Sequence, residues 1–145
     1  AYAGRPGATE GLAFLEHQLV AHQDGKLADL NIDIVEAAAA ELGLAASFRR
    51  ATELGAQGKR SDHLLEICRA VGADSYLSPM GSAEYMEEDG VFSAAGFPSR
   101  FQGFVQVDYP QGRKDFVPYM SFVDALMNLG WSGLRDLIGA MKAAA

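Results

Sequence analysis

Cysteine is nearly absent from this chain of 145 residues, which contains only Cys68. A single thiol excludes an intrachain disulfide and a cysteine-rich zinc site. Because Cys68 lies within an apolar helical pattern, we expect a buried and unreactive side chain. We also expect a cytoplasmic location, since proteins of that compartment ordinarily fold without disulfides.

Positive charge is scarce as well. The chain has 12 lysine and arginine residues against 19 aspartate and glutamate residues, which gives a formal net charge of −7. Non-specific binding to nucleic acid needs a cationic face that neutralises phosphates, so we expect none. No apolar run approaches the roughly 18 to 20 residues that span a bilayer, so no membrane insertion is expected. A small-molecule substrate is the expected partner, and the oligomeric state is left open.

The length and the 49% apolar content suit one globular domain over residues 1–145. The chain starts without methionine, at the stretch "AYAGRPGATEG". Such a lead, rich in glycine and proline, is typical of an interior linker. We therefore expect this domain to be a fragment of a longer protein.

Apolar residues at helical spacing alternate along the chain with short runs typical of strands. Glycines close several predicted helices, notably Gly43 and Gly72, where a left-handed cap is expected. These patterns predict an α/β fold, with a short, largely parallel sheet flanked by helices and a helical C-terminal end. The predicted helices cover residues 9–22, 27–42, 61–71 and 82–85 and the chain beyond 118, and the predicted strands cover 45–50, 74–78 and 99–107.

The segment "GAQGKRS" has the composition of a phosphate-binding loop but not its spacing. Only two residues separate its glycines, and an arginine stands between the lysine and the serine. A weaker anion site remains, in which Lys59, Arg60 and a helix beginning at Ser61 bind a phosphate or carboxylate. Ordinary capping and solvation by the same residues is the alternative. His63, on the first turn, is a candidate acid or base beside such an anion.

The segment "YLSPMGSAEY" places hydroxyl groups after a predicted strand. Ligands of open α/β folds bind at the carboxyl ends of the strands, so Ser78 is a candidate ligand-binding residue. The alternative is a tight turn in which Ser78 and Ser82 only satisfy the backbone. Histidine offers no metal pair, because His17 and His22 are five apart and would point to different sides of a helix. No metal site is predicted, and the cofactor is unknown.

Near the C-terminus, Ser121, Asp124 and Asn128 would share one face of a helix, since offsets of three and four recur on the same side. A polar stripe so close to Phe122 and Trp131 is unusual for plain core packing. It is either a ligand-binding face or a solvated one. No nucleophile with an evident activating partner occurs, which disfavours a covalent Ser/His/Asp or Cys/His mechanism.

Several segments, in order and spacing, resemble the C-terminal part of the WbqC-like family of bacteria: "LADLNIDIVEAAAAELGL", "GKRSDHLLEICRAVGADSYLSPMGSAEYM", "GF", "YPQ" and "FVPYMSFVDALMNLG". The resemblance covers nearly the whole chain from about Leu27 onward. Family members usually begin with a pattern like His-Gln-Pro-Asn-Tyr-Leu-Pro, followed by a strand that contains aspartate. This chain has neither, in keeping with the expected fragment.

Members of this family occur in gene clusters for O-antigen and other surface polysaccharides. The resemblance therefore implies a transferase that moves an aminoacyl or acyl group onto an amino sugar, linked to a nucleotide, in polysaccharide biosynthesis. The alternative is a non-catalytic module that binds an anion or a sugar nucleotide.

Carried onto this sequence, the family pattern has polar residues at Arg60, Ser78, Tyr85, Tyr109, Gln111, Ser121, Asp124 and Asn128. These residue types suit a sugar nucleotide, because an arginine pairs with phosphate, tyrosines stack on a base or sugar, and amides bond hydroxyls. Asp124 is then the candidate general base for an attacking amine or hydroxyl. Arg60, Tyr85, Gln111 and the other polar residues are candidates for substrate binding, together with Ser61.

Overall fold

The computed structural model describes residues 1–144, with side chains described through Met141. Within that range the helices are α1 (Ala8–Ala21), α2 (Leu27–Glu41), α3 (Arg60–Ala70), α4 (Ala83–Asp89), α5 (Val91–Ala94) and α6 (Phe122–Ala144), and the strands are β1 (Tyr76–Pro79) and β2 (Ser99–Gln102). Single turns of 3-10 helix lie at Ala51–Glu53 and Met80–Ser82. The predicted α/β class is confirmed. None of the helices in this range has both the length and the apolar character that crossing a membrane requires.

The chain divides into two compact units. The first unit combines Ala1–Ala46 with the chain from Val105 onward, and the second unit is Ser47–Phe104. The sequence-based expectation of a single domain over residues 1–145 stays a prediction.

The first unit is built on the contact between α1 and α6. Leu126 of α6 is completely buried, and nearby the ring of Phe14 meets Trp131 edge to face at a centroid distance of 5.1 Å. A side chain on Gly11 of α1 would place its Cβ 2.8 Å from Sδ of Met127. Glycine at this position therefore lets the two helices approach closely, as a tightly packed core requires.

Helix α6 is interrupted at Gly130, whose φ of 71° and ψ of 176° are not helical. Glycine is the residue that adopts such a conformation without a steric penalty from Cβ. A second helical segment starts after the interruption, and its leading N–H, from Trp131, donates to Oε2 of Glu10 at 3.0 Å. A side chain of α1 thus satisfies a backbone group that the interruption leaves without an intrahelical partner.

The second unit contains a parallel pair of strands, in which Tyr76 of β1 lies opposite Ser99 of β2. Its core consists of Leu65, Cys68, Met86 and Phe92, which are all buried. The ring of Tyr76 stacks on Phe92 at a centroid distance of 5.2 Å. The prediction that Cys68 is buried is confirmed, and burial raises the pKa of its thiol.

Three local predictions differ from the structure. The strand predicted at 45–50 is wrong, because residues 44–50 form no regular element. The strand predicted at 99–107 ends at Gln102, and the segment after Gly90 contains the short helix α5, which the sequence pattern did not predict. A strand exists only where a neighbour pairs with its backbone. Within residues 1–144 the sheet holds only β1 and β2, so the other apolar runs have no strand partner.

Candidate functional site

The ten site residues predicted from the sequence fall into two groups, one in each compact unit. The first unit holds Tyr109, Gln111, Ser121, Asp124 and Asn128. The second unit holds Arg60, Ser61, His63, Ser78 and Tyr85. Within each unit, direct contacts join some of these residues to one another and to side chains that the sequence did not single out.

The carboxylate of Asp124 is the centre of the first group, and this residue is only 8% exposed. The hydroxyl of Tyr109 donates to Oδ2 at 2.7 Å, and the hydroxyl of Tyr2 donates to Oδ1 at 2.8 Å. Both carboxylate oxygens therefore accept a hydrogen bond from a phenol. We call Tyr2, Tyr109 and Asp124 the phenol–carboxylate cluster.

Both phenols of the cluster have a raised pKa, for different main reasons. For Tyr2 the largest cause is its hydrogen bond to Asp124, followed by burial, whereas the charge of Arg113 acts in the opposite direction. For Tyr109 the largest cause is burial, and Asp124 adds to it. A raised pKa keeps a phenol protonated. Both hydroxyls are therefore proton donors throughout the neutral range.

Asp124 is positioned by the start of α6. The residue before this helix, Ser121, accepts a hydrogen bond on Oγ from the N–H of Val123 at 3.3 Å, and its carbonyl accepts the N–H of Asp124 at 2.9 Å. Ser121 thus acts as the N-cap, which is a common role of serine. A carboxylate in the first turn is also favoured by the helix dipole.

Asn128 lies one turn beyond Asp124, so the predicted shared helix face holds for these two residues, whereas Ser121, predicted on the same face, precedes the helix. Its Nδ2 donates to the backbone carbonyl of Asp124 at 2.8 Å. Asn128 is 2% exposed, and its Oδ1 has no hydrogen-bond partner among the residues that the structure describes. Buried polar atoms are nearly always paired in folded proteins, so this oxygen is an exception that needs a cause.

Gln111 has a structural role in the same unit. Its Nε2 donates to the carbonyl of Val117, and its Oε1 accepts the N–H of Val117, both at 2.8 Å. This paired contact closes the loop between the two residues. The ring of Tyr109 packs edge to face on Phe116 of that loop at 5.4 Å. Gln111 therefore stabilises the loop that supports one phenol of the cluster.

Arg60 organises the second group. It begins α3 with a φ of 49°, a conformation that is uncommon for a residue other than glycine. Its Nε lies 3.3 Å from Oδ2 of Asp89, and its guanidinium stands 5.2 Å from the ring centre of Tyr85. The ion pair and the cation–π contact hold the side chain at this strained start of the helix.

Ser61 is fully buried, and its hydroxyl donates to the same oxygen of Asp89 at 2.7 Å. The helix that was expected to begin at Ser61 begins at Arg60 after Lys59, and no side chain caps it. The hydroxyl instead joins α3 to the end of α4. Asp89 was not predicted from the sequence, since 28 residues separate it from Ser61 and no local pattern connects them.

His63 and Ser78 have local contacts only. Nδ1 of His63 lies 3.4 Å from the carbonyl of Gln57, at the limit of a hydrogen bond. The hydroxyls of Ser78 and Ser82 are 2.5 Å apart, and Ser82 also donates to the carbonyl of Pro79 at 2.7 Å. These contacts favour the turn interpretation of Ser78, in which the hydroxyls satisfy the end of β1.

Two open clefts lie in the second unit, and neither is lined by a residue predicted from the sequence. One has a volume of about 590 Å³ and lies against α3, where Ile67 and Val71 form part of its wall and Arg49 its polar side. The other has a volume of about 620 Å³ and lies beside β2, with Phe92 and Phe101 in its wall. Among the described residues, no group of three or more His, Cys, Asp or Glu side chains is arranged to hold a metal ion.

Comparison with known proteins identifies the family. The model of the WbqC-like protein family matches residues 1–136, most of the chain. The chain belongs to the WbqC-like protein family. The match includes the N-terminal segment with Tyr2, and α1, both of which lie before the region that carried the resemblance in the sequence. No curated protein and no solved structure gives a significant match.

Membership of the WbqC-like family suggests a role related to polysaccharide biosynthesis. It does not specify a reaction, a donor or an acceptor. The reaction must therefore be argued from the side chains, and the phenol–carboxylate cluster and the Arg60 group are the two arrangements that can be considered. The functional roles of the ten site residues stay predictions.

Proposed function

We propose that the protein is a transferase that moves an acyl or aminoacyl group from an activated donor onto the amino group of a nucleotide-linked sugar, in the biosynthesis of a bacterial surface polysaccharide. Its family supports this setting. The observation that carries the proposal is the buried carboxylate of Asp124, which the hydroxyls of Tyr2 and Tyr109 hold at 2.8 and 2.7 Å.

In the proposed reaction the sugar amine, after its ammonium form has lost one proton to solvent, attacks the carbonyl carbon of the donor. A bond forms between nitrogen and carbon while the bond from that carbon to the leaving group breaks. Asp124 accepts the proton that the nitrogen loses and passes it to the leaving group. The hydroxyl of Tyr109 keeps the carboxylate in one position, which is the requirement for a base that must meet its substrate in a fixed geometry.

The test is a transfer assay on the full chain. Nucleotide-linked amino sugars and activated acyl or aminoacyl donors are incubated with the protein, and the product is detected as an increase in sugar mass. We expect Asp124→Asn to lower the rate by about 100-fold or more, in the range of a lost general base. The matched control is Asp136→Asn, an exposed aspartate on the same helix, which should leave the rate unchanged. Absence of any product across a broad panel would count against the proposal.

A second candidate, a non-catalytic anion-binding module, is favoured by the Arg60 group. Arg60 is held against Tyr85 and Asp89 while 58% of its side chain stays exposed. Such a fixed arginine can pair with a phosphate through its remaining N–H groups. The neighbouring carboxylate of Asp89 weakens this alternative, because it already compensates the positive charge.

A cellular assay of polysaccharide formation distinguishes the transferase from the anion-binding module. If the protein is a transferase, Asp124→Asn abolishes its contribution. If it is an anion-binding module, Asp124→Asn retains full function and Arg60→Ala abolishes it. Both variants should first be shown to unfold cooperatively, so that a loss of fold is not counted as a loss of function.

A further inference from the structure

Oδ1 of Asn128 is the only buried side-chain oxygen or nitrogen without a hydrogen-bond partner in the described part of the chain. The orientation of the Asn128 amide is fixed by its Nδ2 atom, which donates a hydrogen bond to the backbone carbonyl of Asp124. A buried acceptor without a donor costs folding free energy. A donor that does not belong to the chain would remove that cost and explain why the oxygen is retained.

The surroundings of this oxygen define what the donor must be. One helical turn away lies the carboxylate of Asp124, which carries a negative charge when ionised and accepts from Tyr2 and Tyr109. Carboxylate, amide carbonyl and phenol oxygens can all accept hydrogen bonds. One cation, Arg113, acts on the cluster by lowering the pKa of Tyr2, and this residue is exposed. This part of α6 is thus rich in hydrogen-bond acceptors, and most of them are buried.

A primary ammonium group fits this set of acceptors. It has three N–H donors and one positive charge, so it can serve the Asp124 carboxylate and the Asn128 carbonyl together. A hydroxyl has a single donor and no charge, and it can serve only one of them. To enter, the ammonium replaces the hydroxyl of Tyr2 on Oδ1 of Asp124, since Tyr2 is only half-buried in the segment before α1.

We propose that Asp124 and Asn128 form a binding site for a primary amine, in which the Asn128 carbonyl distinguishes an amine from a hydroxyl. The inference rests on the proposed function and deepens it, because it names the group of the acceptor sugar that is recognised and the residue that recognises it. Asn128 is here a positioning and specificity residue. It takes no part in proton transfer.

The experiment measures the binding of glucosamine, N-acetylglucosamine and glucose to the full chain by NMR titration. We expect the wild type to bind glucosamine about tenfold or more tightly than either of the other sugars, which is the scale of one hydrogen bond to a charged group. Equal affinities for the three sugars, or no binding of glucosamine at any attainable concentration, would overturn the proposal.

Two variants isolate the carbonyl. Asn128→Leu and Asn128→Asp both remove the Nδ2 amide, but only the second retains an acceptor at this position. The proposal predicts that Asn128→Leu loses the preference for glucosamine and that Asn128→Asp keeps it. If both variants keep the wild-type preference, a buried water satisfies Oδ1 and the proposal is wrong. If Asn128→Leu does not fold, the relative affinities of the wild type for the three sugars still test the proposal.

The outcome is separable from that of the transfer assay. A preference for glucosamine without any transfer would reject the proposed reaction and retain the amine site. Transfer to amino sugars and hydroxyl sugars at equal rates would retain the reaction and reject the amine site.

Discussion

The side-chain carboxylate of Glu10 accepts a hydrogen bond from the backbone N–H of Trp131 at 3.0 Å, across a separation of 121 residues. This contact lies where α6 is interrupted, so an acidic side chain of α1 meets the start of the second segment of α6. The start of a helix has unpaired N–H groups and a partial positive charge. Glu10 therefore stabilises the C-terminal helix in the manner of a cap, although it is remote in the sequence.

Replacement of Glu10 tests this cap. Glu10→Ala should lower the free energy of unfolding by about 1 kcal/mol, the usual effect of losing a capping side chain. The measurement is urea denaturation followed by circular dichroism. Glu16→Ala, on an exposed position of the same helix, is the matched control and should have little effect. Equal losses for the two variants would mean that the bond to Trp131 contributes nothing.

The interruption itself depends on Gly130. Gly130→Ala should destabilise the protein by about 1 to 3 kcal/mol, because a side chain is strained at this φ and its Cβ would lie 3.0 Å from Oε2 of Glu10. Gly139→Ala is the control in the same helix, where a Cβ meets no atom within 4 Å. That variant should raise stability by about 0.5 to 1 kcal/mol, through helix propensity. If Gly130→Ala is also stabilising, the interruption is not required by the fold.

The raised pKa values of Tyr2 and Tyr109 predict a loss of stability at alkaline pH. A group whose pKa is higher in the folded state contributes stability in full below its unfolded pKa, about 10 for tyrosine, and loses it as the pH rises through the folded pKa. The free energy of unfolding should therefore fall as the pH increases beyond about 10. Tyr2→Phe and Tyr109→Phe should each make this decline shallower. If the free energy of unfolding falls with pH as steeply in both variants as in the wild type, the two tyrosines are not its cause.

The two tyrosines should respond differently to the loss of the Asp124 charge. In Asp124→Asn, the pKa of Tyr2 should return most of the way to its ordinary value, because the hydrogen bond to that carboxylate is its largest cause. The pKa of Tyr109 should stay raised, since burial is its largest cause. Phenolate absorbance, measured on Asp124→Asn and on its combinations with Tyr2→Phe and Tyr109→Phe, resolves the two titrations. If the pKa of Tyr109 falls more than the pKa of Tyr2, the causes assigned to the two residues are wrong.

A further contact joins α1 and α2 through His22. Its Nδ1 lies 3.0 Å from the carbonyl of Gln18, and its Nε2 lies 2.9 Å from Oδ2 of Asp33. His22→Ala should lower the free energy of unfolding by about 1 kcal/mol, as the loss of a partly buried polar contact does. His17→Ala, at an exposed position of α1, should change it little. Urea denaturation compares the two, and similar effects would show that the bridge is not stabilising.

Most helices could be predicted because their signals are local. The first helix was expected at 9–22 and is found at Ala8–Ala21, and the left-handed glycines expected at Gly43 and Gly72 have φ of 69° and 67°. The strand at 45–50 failed because a β propensity has no effect without a partner strand. Pattern along the chain decides where a helix can form, but only the assembled sheet decides which apolar runs become strands.

The same division applies to the candidate site. The sequence pointed to Asp124 and Asn128 through their helical spacing and to Tyr109 through the family pattern. It gave no sign of Tyr2, which lies in a segment interpreted as a linker. It also could not show that the side chain of Gln111 is hydrogen-bonded to the backbone of Val117. These contacts depend on loop closure and on residues far apart in the sequence.

The amino-acid sequence by itself determined the acidic charge, the buried thiol, the helices and the family, because each follows from composition or from spacing within a few turns. Only the tertiary structure decided that Tyr2 meets Asp124, that Glu10 meets Trp131 and that Oδ1 of Asn128 is left without a donor. The physical reason is that a hydrogen bond depends on distances of about 3 Å between atoms, and such distances between remote residues exist only after the chain has folded.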